Sequence, residues 1–152
     1  VASSVPFTPN IHTLRRDLLI SDHRTVLKYL TYLEKAEVIS TVSKPVKGNA
    51  MLRKPEKIYL NNTNMAYALL DYKPEIGTLR ETFFLNQLRV KNKIEFSDKG
   101  DFLINKKYVF EIGGKSKTNK QIKTLDNSYV VVDGIETGHA EKIPLWLFGF
   151  LY

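Results

Sequence analysis

The stretch Asp101-Phe102-Leu103-Ile104-Asn105-Lys106-Lys107-Tyr108-Val109-Phe110-Glu111-Ile112-Gly113-Gly114-Lys115 decides how this chain is read. Two short apolar runs, 101–104 and 108–112, flank the polar break Asn105-Lys106-Lys107, a pattern that predicts two strands joined as a hairpin. An acid stands at the outer end of each run. In an antiparallel pair the start of one strand lies beside the end of the next, which brings Asp101 and Glu111 together. A carboxylate pair of this kind suits a hard divalent cation, Mg2+ or Mn2+. Such a cation activates water and neutralises charge building on a phosphodiester oxygen. Lys115, just beyond, supplies an ammonium to orient that water or stabilise the pentavalent phosphorus. The candidate catalytic residues are therefore Asp101, Glu111 and Lys115. A turn-to-strand cap explains Asp101 equally well, whereas an acid inside Val-Phe-Glu-Ile needs a partner once buried.

Upstream, Ile76 to Val90 carries Leu and Phe at helical spacing. Glu81 shares a face there with Phe84, Leu85 and Leu88. It is a third candidate metal ligand beside Asp101 and Glu111; the competing reading pairs it with Arg80 or Arg89. Downstream, Lys106, Lys107, Lys115, Lys117, Lys120 and Lys123 fall among eighteen residues with one acid, Glu111. A helix over 118–126 would put Lys117, Lys120 and Lys123 on one face, suited to a phosphate backbone or simply to solvent. Tyr129–Val132 reads as a buried strand and Ile143–Tyr152 as a terminal one. Lys93–Phe96 is a further short strand, followed by a turn at 97–100. Gly113-Gly114 is too short and misplaced for a nucleotide loop, and no G-x-x-x-x-G-K-[ST] occurs. No nucleotide site is expected within this chain.

Nearer the start, Asn10 is a candidate N-cap for a helix carrying Ile11, Leu14, Leu18 and Leu19. Ser21-Asp22 interrupts that pattern and starts a second helix with Val26, Tyr29, Leu30, Leu33 and Ala36 as its inward stripe. Arg24, Lys28, Thr31 and Lys35 then face outward, where such side chains contact phosphates and base edges. Runs 38–42 and 57–60 predict two strands around a basic loop, with Lys44, Lys47, Arg53, Lys54 and Lys57 available to a nucleic-acid backbone. Helix, turn, helix, β-hairpin is the winged-helix order. A closing helix over 61–71 and a Tyr72-Lys73-Pro74 linker complete this part. DNA-binding candidates are Arg24, Lys28, Lys35, Lys47, Lys54, Lys117, Lys120 and Lys123; a basic face used for protein contacts is the alternative.

The fold expectation is α+β: a winged helix-turn-helix domain at 1–72, then an α/β restriction-endonuclease-like domain at 73–152 in the order α-β-β-β-α-β-β. The 152 residues accommodate two small domains, and 43% hydrophobic with 26% charged residues excludes a disordered chain. A net charge of +7 favours an anionic partner, nucleic acid first and an acidic membrane surface second. With no cysteine, disulfides, thiolate metal sites and cysteine nucleophiles are excluded, which fits a cytoplasmic protein. His12, His23 and His139 are too scattered for a zinc site. The longest apolar run, 143–152, contains a Pro and is too short for a membrane span. Apolar on both faces, it suggests contact with another chain or domain, so a homo-oligomer is among the expected partners. Opening on Val1, the sequence reads as a fragment of a longer protein.

Thr25-Val26-Leu27-Lys28-Tyr29-Leu30, Leu33-Glu34-Lys35-Ala36, Lys57-Ile58-Tyr59-Leu60-Asn61, Gly77 to Phe84 and Phe110-Glu111-Ile112-Gly113-Gly114-Lys115 together resemble the C-terminal half of a prokaryotic AAA-family ATPase. The resemblance covers nearly the whole chain. It implies a P-loop ATPase domain in cis, then a winged helix, then a domain of unknown function similar to PD-(D/E)xK nucleases. It maps the nuclease acids onto Glu81, Asp101 and Glu111. Two departures stand out: Gly100 replaces the proline before Asp101, and Gly113 occupies the usual lysine position, leaving Lys115 four residues after Glu111.

Overall fold

The structure, a computed structural model, describes residues 6–45 and 53–151. It is an α+β fold with four α-helices, one 3-10 helix and two sheets among those residues. No helix among them is long and apolar enough to cross a membrane.

Helix α1 (Ile11–Asp17) starts where Asn10 accepts from the backbone N–H groups of His12 and Thr13 at 3.1 and 3.2 Å. Helix α2 (His23–Lys35) starts at Asp22, which accepts from Thr25 N–H at 3.2 Å. Both helices end on a non-glycine residue with positive φ, Leu19 at 54° and Glu37 at 55°. In each case the N–H of the next residue returns to a carbonyl five positions back, Ile20 to Arg15 and Val38 to Leu33. The inward stripe of α2 is narrower than its sequence suggests. Val26 and Leu30 are buried, but Tyr29, Leu33 and Ala36 are exposed. Thr31, expected to face outward, donates its hydroxyl to Leu27 O within the helix.

Strands β1 (Ile39–Val42) and β2 (Lys57–Leu60) form an antiparallel pair in which Ile39 faces Leu60 and Val42 faces Lys57. Both faces of this pair are covered. Ile39 and Ile58 pack with Ile11, Val26 and Leu30 under α1 and α2. Val42 and Tyr59 belong instead to the largest core cluster, which is built mainly from later residues. Helix α3 (Thr63–Leu69), capped by Asn62, follows the hairpin.

Helix α4 (Ile76–Leu88) lies against a five-stranded sheet ordered β3 (Ile94–Phe96), β4 (Phe102–Ile104), β5 (Tyr108–Gly113), β6 (Ser128–Val132) and β7 (Lys142–Pro144). Pairings β3-β4 and β4-β5 are antiparallel; β5-β6 and β6-β7 are parallel. Phe84 of α4 sits among Phe102, Phe110 and Phe148, with ring centroids 4.7 to 5.5 Å away. On the opposite face Ile122 packs with Val130 and Val132.

Two expected elements differ. Residues 118–126 form turns, not a helix, because short-range bonds such as Ile122 N–H to Asn119 O and Leu125 N–H to Ile122 O replace a helical ladder. Lys117, Lys120 and Lys123 therefore do not line a helix face. The terminal run is β7 followed by a 3-10 helix over Leu145–Phe150 rather than one strand, with Leu145 and Phe148 buried at threefold spacing. Trp146, Leu147 and Phe150 stay exposed.

The two parts expected at 1–72 and 73–152 share a core. Tyr59 packs on Phe102 with centroids 5.6 Å apart, and Phe96 N–H donates to Ser43 O at 2.9 Å. Asn86 donates to Asn61 O at 2.9 Å, and Arg89 donates to Ser40 Oγ at 2.7 Å. Lys44 pairs with Asp98 at 2.8 Å.

Candidate active site

Asp101 lies immediately before β4, at the end of the strand next to β5. Its own N–H donates to Phe110 O at 2.9 Å, while Phe102 also pairs with Phe110. Two residues thus oppose one, a bulge-like register that turns the Asp101 side chain along β5. Oδ2 accepts from Ile112 N–H at 2.8 Å, which clamps the carboxylate beside Glu111. The preceding position needs glycine: a Cβ on Gly100 would lie 2.7 Å from Val109 Cγ1 and 2.9 Å from Phe110 O.

Three carboxylates and two lysines make up the cluster. Lys57, on β2, places its Nζ 3.5 Å from Asp101 Oδ1 and 3.5 Å from Glu81 Oε2. Tyr59, two residues on, donates its hydroxyl to Glu81 Oε2 at 2.7 Å. Lys117 meets Glu111 Oε1 at 2.5 Å. The Glu111 side chain is 4% exposed, so its ionised form depends on that partner.

Burial raises the Glu111 pKa above its ordinary value; the Lys117 hydrogen bond opposes this, and the Asp101 charge adds to the rise. Glu81 is raised as well, first by burial and then by Asp101, with Lys57 and Tyr59 pulling the other way. Burial also pushes the Tyr59 hydroxyl up, helped by the Glu81 charge, so it remains a donor. For Lys117, burial acts downward but is outweighed by the bond and charge of Glu111, and the pKa rises.

Glu81, Asp101 and Glu111 therefore come together electrostatically. The bland alternative for Glu81 does not hold, since Arg80 pairs with Asp133 at 2.9 Å and Arg89 engages Ser40 and Glu37. Lys115 is exposed and makes no ion pair with the described residues. Lys117 and Lys57, read from sequence as backbone-contacting residues, are both turned into the cluster. Tyr59 carried no sequence signal beyond its place in a strand. Lys117 carried a faint one: glycine at the usual lysine position, then a turn able to bring a later lysine back.

A divalent ion would meet oxygen donors only, which is the right chemistry for Mg2+ or Mn2+. No group of three His, Asp or Glu side chains among the described residues is set to hold one. Mg2+ sites of nucleic-acid enzymes use one or two carboxylates with water and substrate phosphate filling the rest. Asp101 and Glu111 are the two acids that could serve in that mode, while Glu81 is held by Tyr59 and Lys57.

The remaining basic candidates lie apart. Arg24, Lys28 and Lys35 are exposed on α2, with Lys28 Nζ 5.7 Å from the Tyr32 ring centre. Lys54 is exposed beside β2, and Lys47 lies outside the described residues. Lys120 is exposed beside Lys117 along a cleft of about 420 Å3 lined also by Gly114, Ser116, Thr118 and Gln121. Lys123 is exposed at a separate pocket near Asn127 and Glu141. The three histidines are exposed. No family model, curated protein or solved structure matches the chain.

Proposed function

We propose that this chain is the DNA-associated part of a larger ATPase, in which a winged helix adjoins a PD-(D/E)xK nuclease-like domain that hydrolyses DNA phosphodiesters. The P-loop domain that would supply ATP turnover belongs to the same reading and would lie elsewhere in the full protein. The observation that carries the reading is the clamp between Asp101 and the Ile112 amide, which holds one carboxylate against the strand that bears another, Glu111. Separate strands and a bulge-like register set two acids at one end of the sheet, where the Asp101 charge helps to raise the Glu111 pKa, a pattern that clusters at functional sites. The bound cation, Mg2+ or Mn2+, would supply an activated water and charge neutralisation at the phosphoryl oxygens. Asp101 and Glu111 would hold it, and the basic surfaces would hold the DNA backbone.

A second reading has its own support: each carboxylate already has a lysine or tyrosine partner, as in a domain kept for binding and assembly alone. Cleavage of supercoiled, linear and single-stranded DNA in Mg2+ or Mn2+ separates the two. The nuclease reading expects metal-dependent cleavage that Glu111→Ala and Asp101→Ala abolish while DNA binding persists. DNA binding without cleavage of any form would leave the binding module standing and remove the nuclease.

A further inference from the structure

Glu111 and Gly113, two apart on β5, point to the same face of the sheet. Glycine there leaves space beside a buried acid, and that space is filled. A Cβ built on Gly113 would meet Lys117 Cδ and Cγ at 2.6 Å and Lys117 Cβ at 2.7 Å, the three nearest atoms all belonging to one side chain. Gly113 does not have positive φ, so its backbone admits an L side chain, and the nearest obstruction is the Lys117 stem.

The local chain explains how Lys117 arrives. After β5, Lys117 N–H donates to Gly114 O at 2.8 Å, closing a four-residue turn that reverses the chain. The lysine stem then runs back across Gly113, and its ammonium reaches Glu111 Oε1. Lys115 sits on the outside of that turn and is exposed.

We infer that Lys117 is the catalytic lysine of this site, occupying from the far side of a turn the volume that a lysine at position 113 would fill from the strand. This rests on the nuclease reading above. Lys117 Nζ stands beside Glu111, its side chain is 31% exposed, and the cleft of Lys120 and Gln121 opens next to it. Its role is to donate hydrogen bonds to the attacking water or a phosphoryl oxygen, and no covalent step passes through it. Gly113 and Lys117 form a reciprocal pair: one position gives up its side chain so that the other can supply it.

The test is a cycle of Lys117→Ala, Gly113→Lys and the double variant, in the full chain. Lys117→Ala is expected to slow Mn2+-dependent cleavage on the order of 100-fold, the scale for losing one transition-state donor. Gly113→Lys alone should lower the unfolding temperature, because two side chains claim one volume. Combined, the changes should relieve that overlap and return cleavage to within about tenfold of the original. If Lys117→Ala cuts as fast as the unmodified chain, the catalytic role is overturned. If Gly113→Lys costs the same stability with and without Lys117, the shared volume is overturned. An unmodified chain without cleavage removes the nuclease reading and the catalytic role together, while the unfolding cycle still decides whether the positions exchange space.

Discussion

Lysines on α2 and lysines at the β4–β5 end do opposite things with the same side chain. Lys28 and Lys35 lie exposed on a short amphipathic helix, Lys28 over the ring of Tyr32. Lys57 and Lys117 have side chains 24% and 31% exposed and direct their charge at carboxylates of other segments. An exposed lysine keeps its entropy until a phosphate arrives, and its attraction is screened by salt. A lysine fixed against a largely buried acid has lost that entropy in folding and holds a defined geometry. The contrast separates a surface that grips a polyanion anywhere along its length from a place where one phosphate could be handled.

The comparison can be broken most sharply at Lys57, which crosses from the β1–β2 hairpin to the sheet. Lys57→Met keeps the stem and removes the ammonium shared by Glu81 and Asp101. Breaking a buried pair costs about 3–5 kcal/mol, and the residual exposure here cuts that to about 1–2 kcal/mol. Tyr59→Phe removes one hydrogen bond to Glu81 and should cost about 1 kcal/mol. Chemical denaturation measures both. If Lys57→Met is as harmless as a change on α2, the two lysine populations are one.

The acids offer a second test, read through pH. Glu111 is raised above its ordinary 4.5, so the folded state binds its proton more tightly than the unfolded chain does. A raised carboxyl contributes stability that is full below the ordinary value and lost as pH climbs through the elevated one. Glu81 acts in the same direction. Glu111→Gln imitates the protonated form, so it should unfold at a higher temperature than the unmodified chain near pH 8. The two curves should converge as pH falls below the ordinary value of 4.5. Lys117 works in the same direction in a higher window: its raised pKa contributes stability that is full below the ordinary lysine value of 10.5 and lost as pH climbs above it. A variant less stable at pH 8 would mean that Lys117 more than offsets the burial of Glu111.

Much of this was legible along the chain, and the exceptions share a cause. Asn10 and Asp22 declare their helices through side-chain oxygens that act within three residues. The β-branched run at 39–42, the strand-like run at 57–60, and the two acids flanking 102–110 follow from alternation and hairpin geometry. The segment 118–126 misled because lysines at every third position imitate a helix face. With Ile122 and Leu125 as its apolar anchors, the segment gains enough burial from turns without forming a costly helical nucleus. Lys57 was illegible for another reason: its partners stand 24 and 44 positions away, and nothing local distinguishes it from Lys54. Val42 and Tyr59 likewise look like one strand face of a hairpin until the second sheet covers them.

The gentlest change bears on the α2 side of the contrast. Lys28→Ala with Lys35→Ala removes two exposed ammonium groups and nothing that holds the fold, so stability should move by less than about 0.5 kcal/mol. Each ammonium withdrawn from a phosphate lowers the salt dependence by about 0.9 in the logarithmic slope, so the pair should flatten it by about 1.8. Fluorescence anisotropy with a labelled duplex across a salt series reads that slope directly. Unchanged affinity and slope at low salt would take DNA away from α2 and leave that helix to a protein partner. An unchanged slope with a large loss of stability would instead place these lysines with Lys57 and Lys117, as parts of the fold.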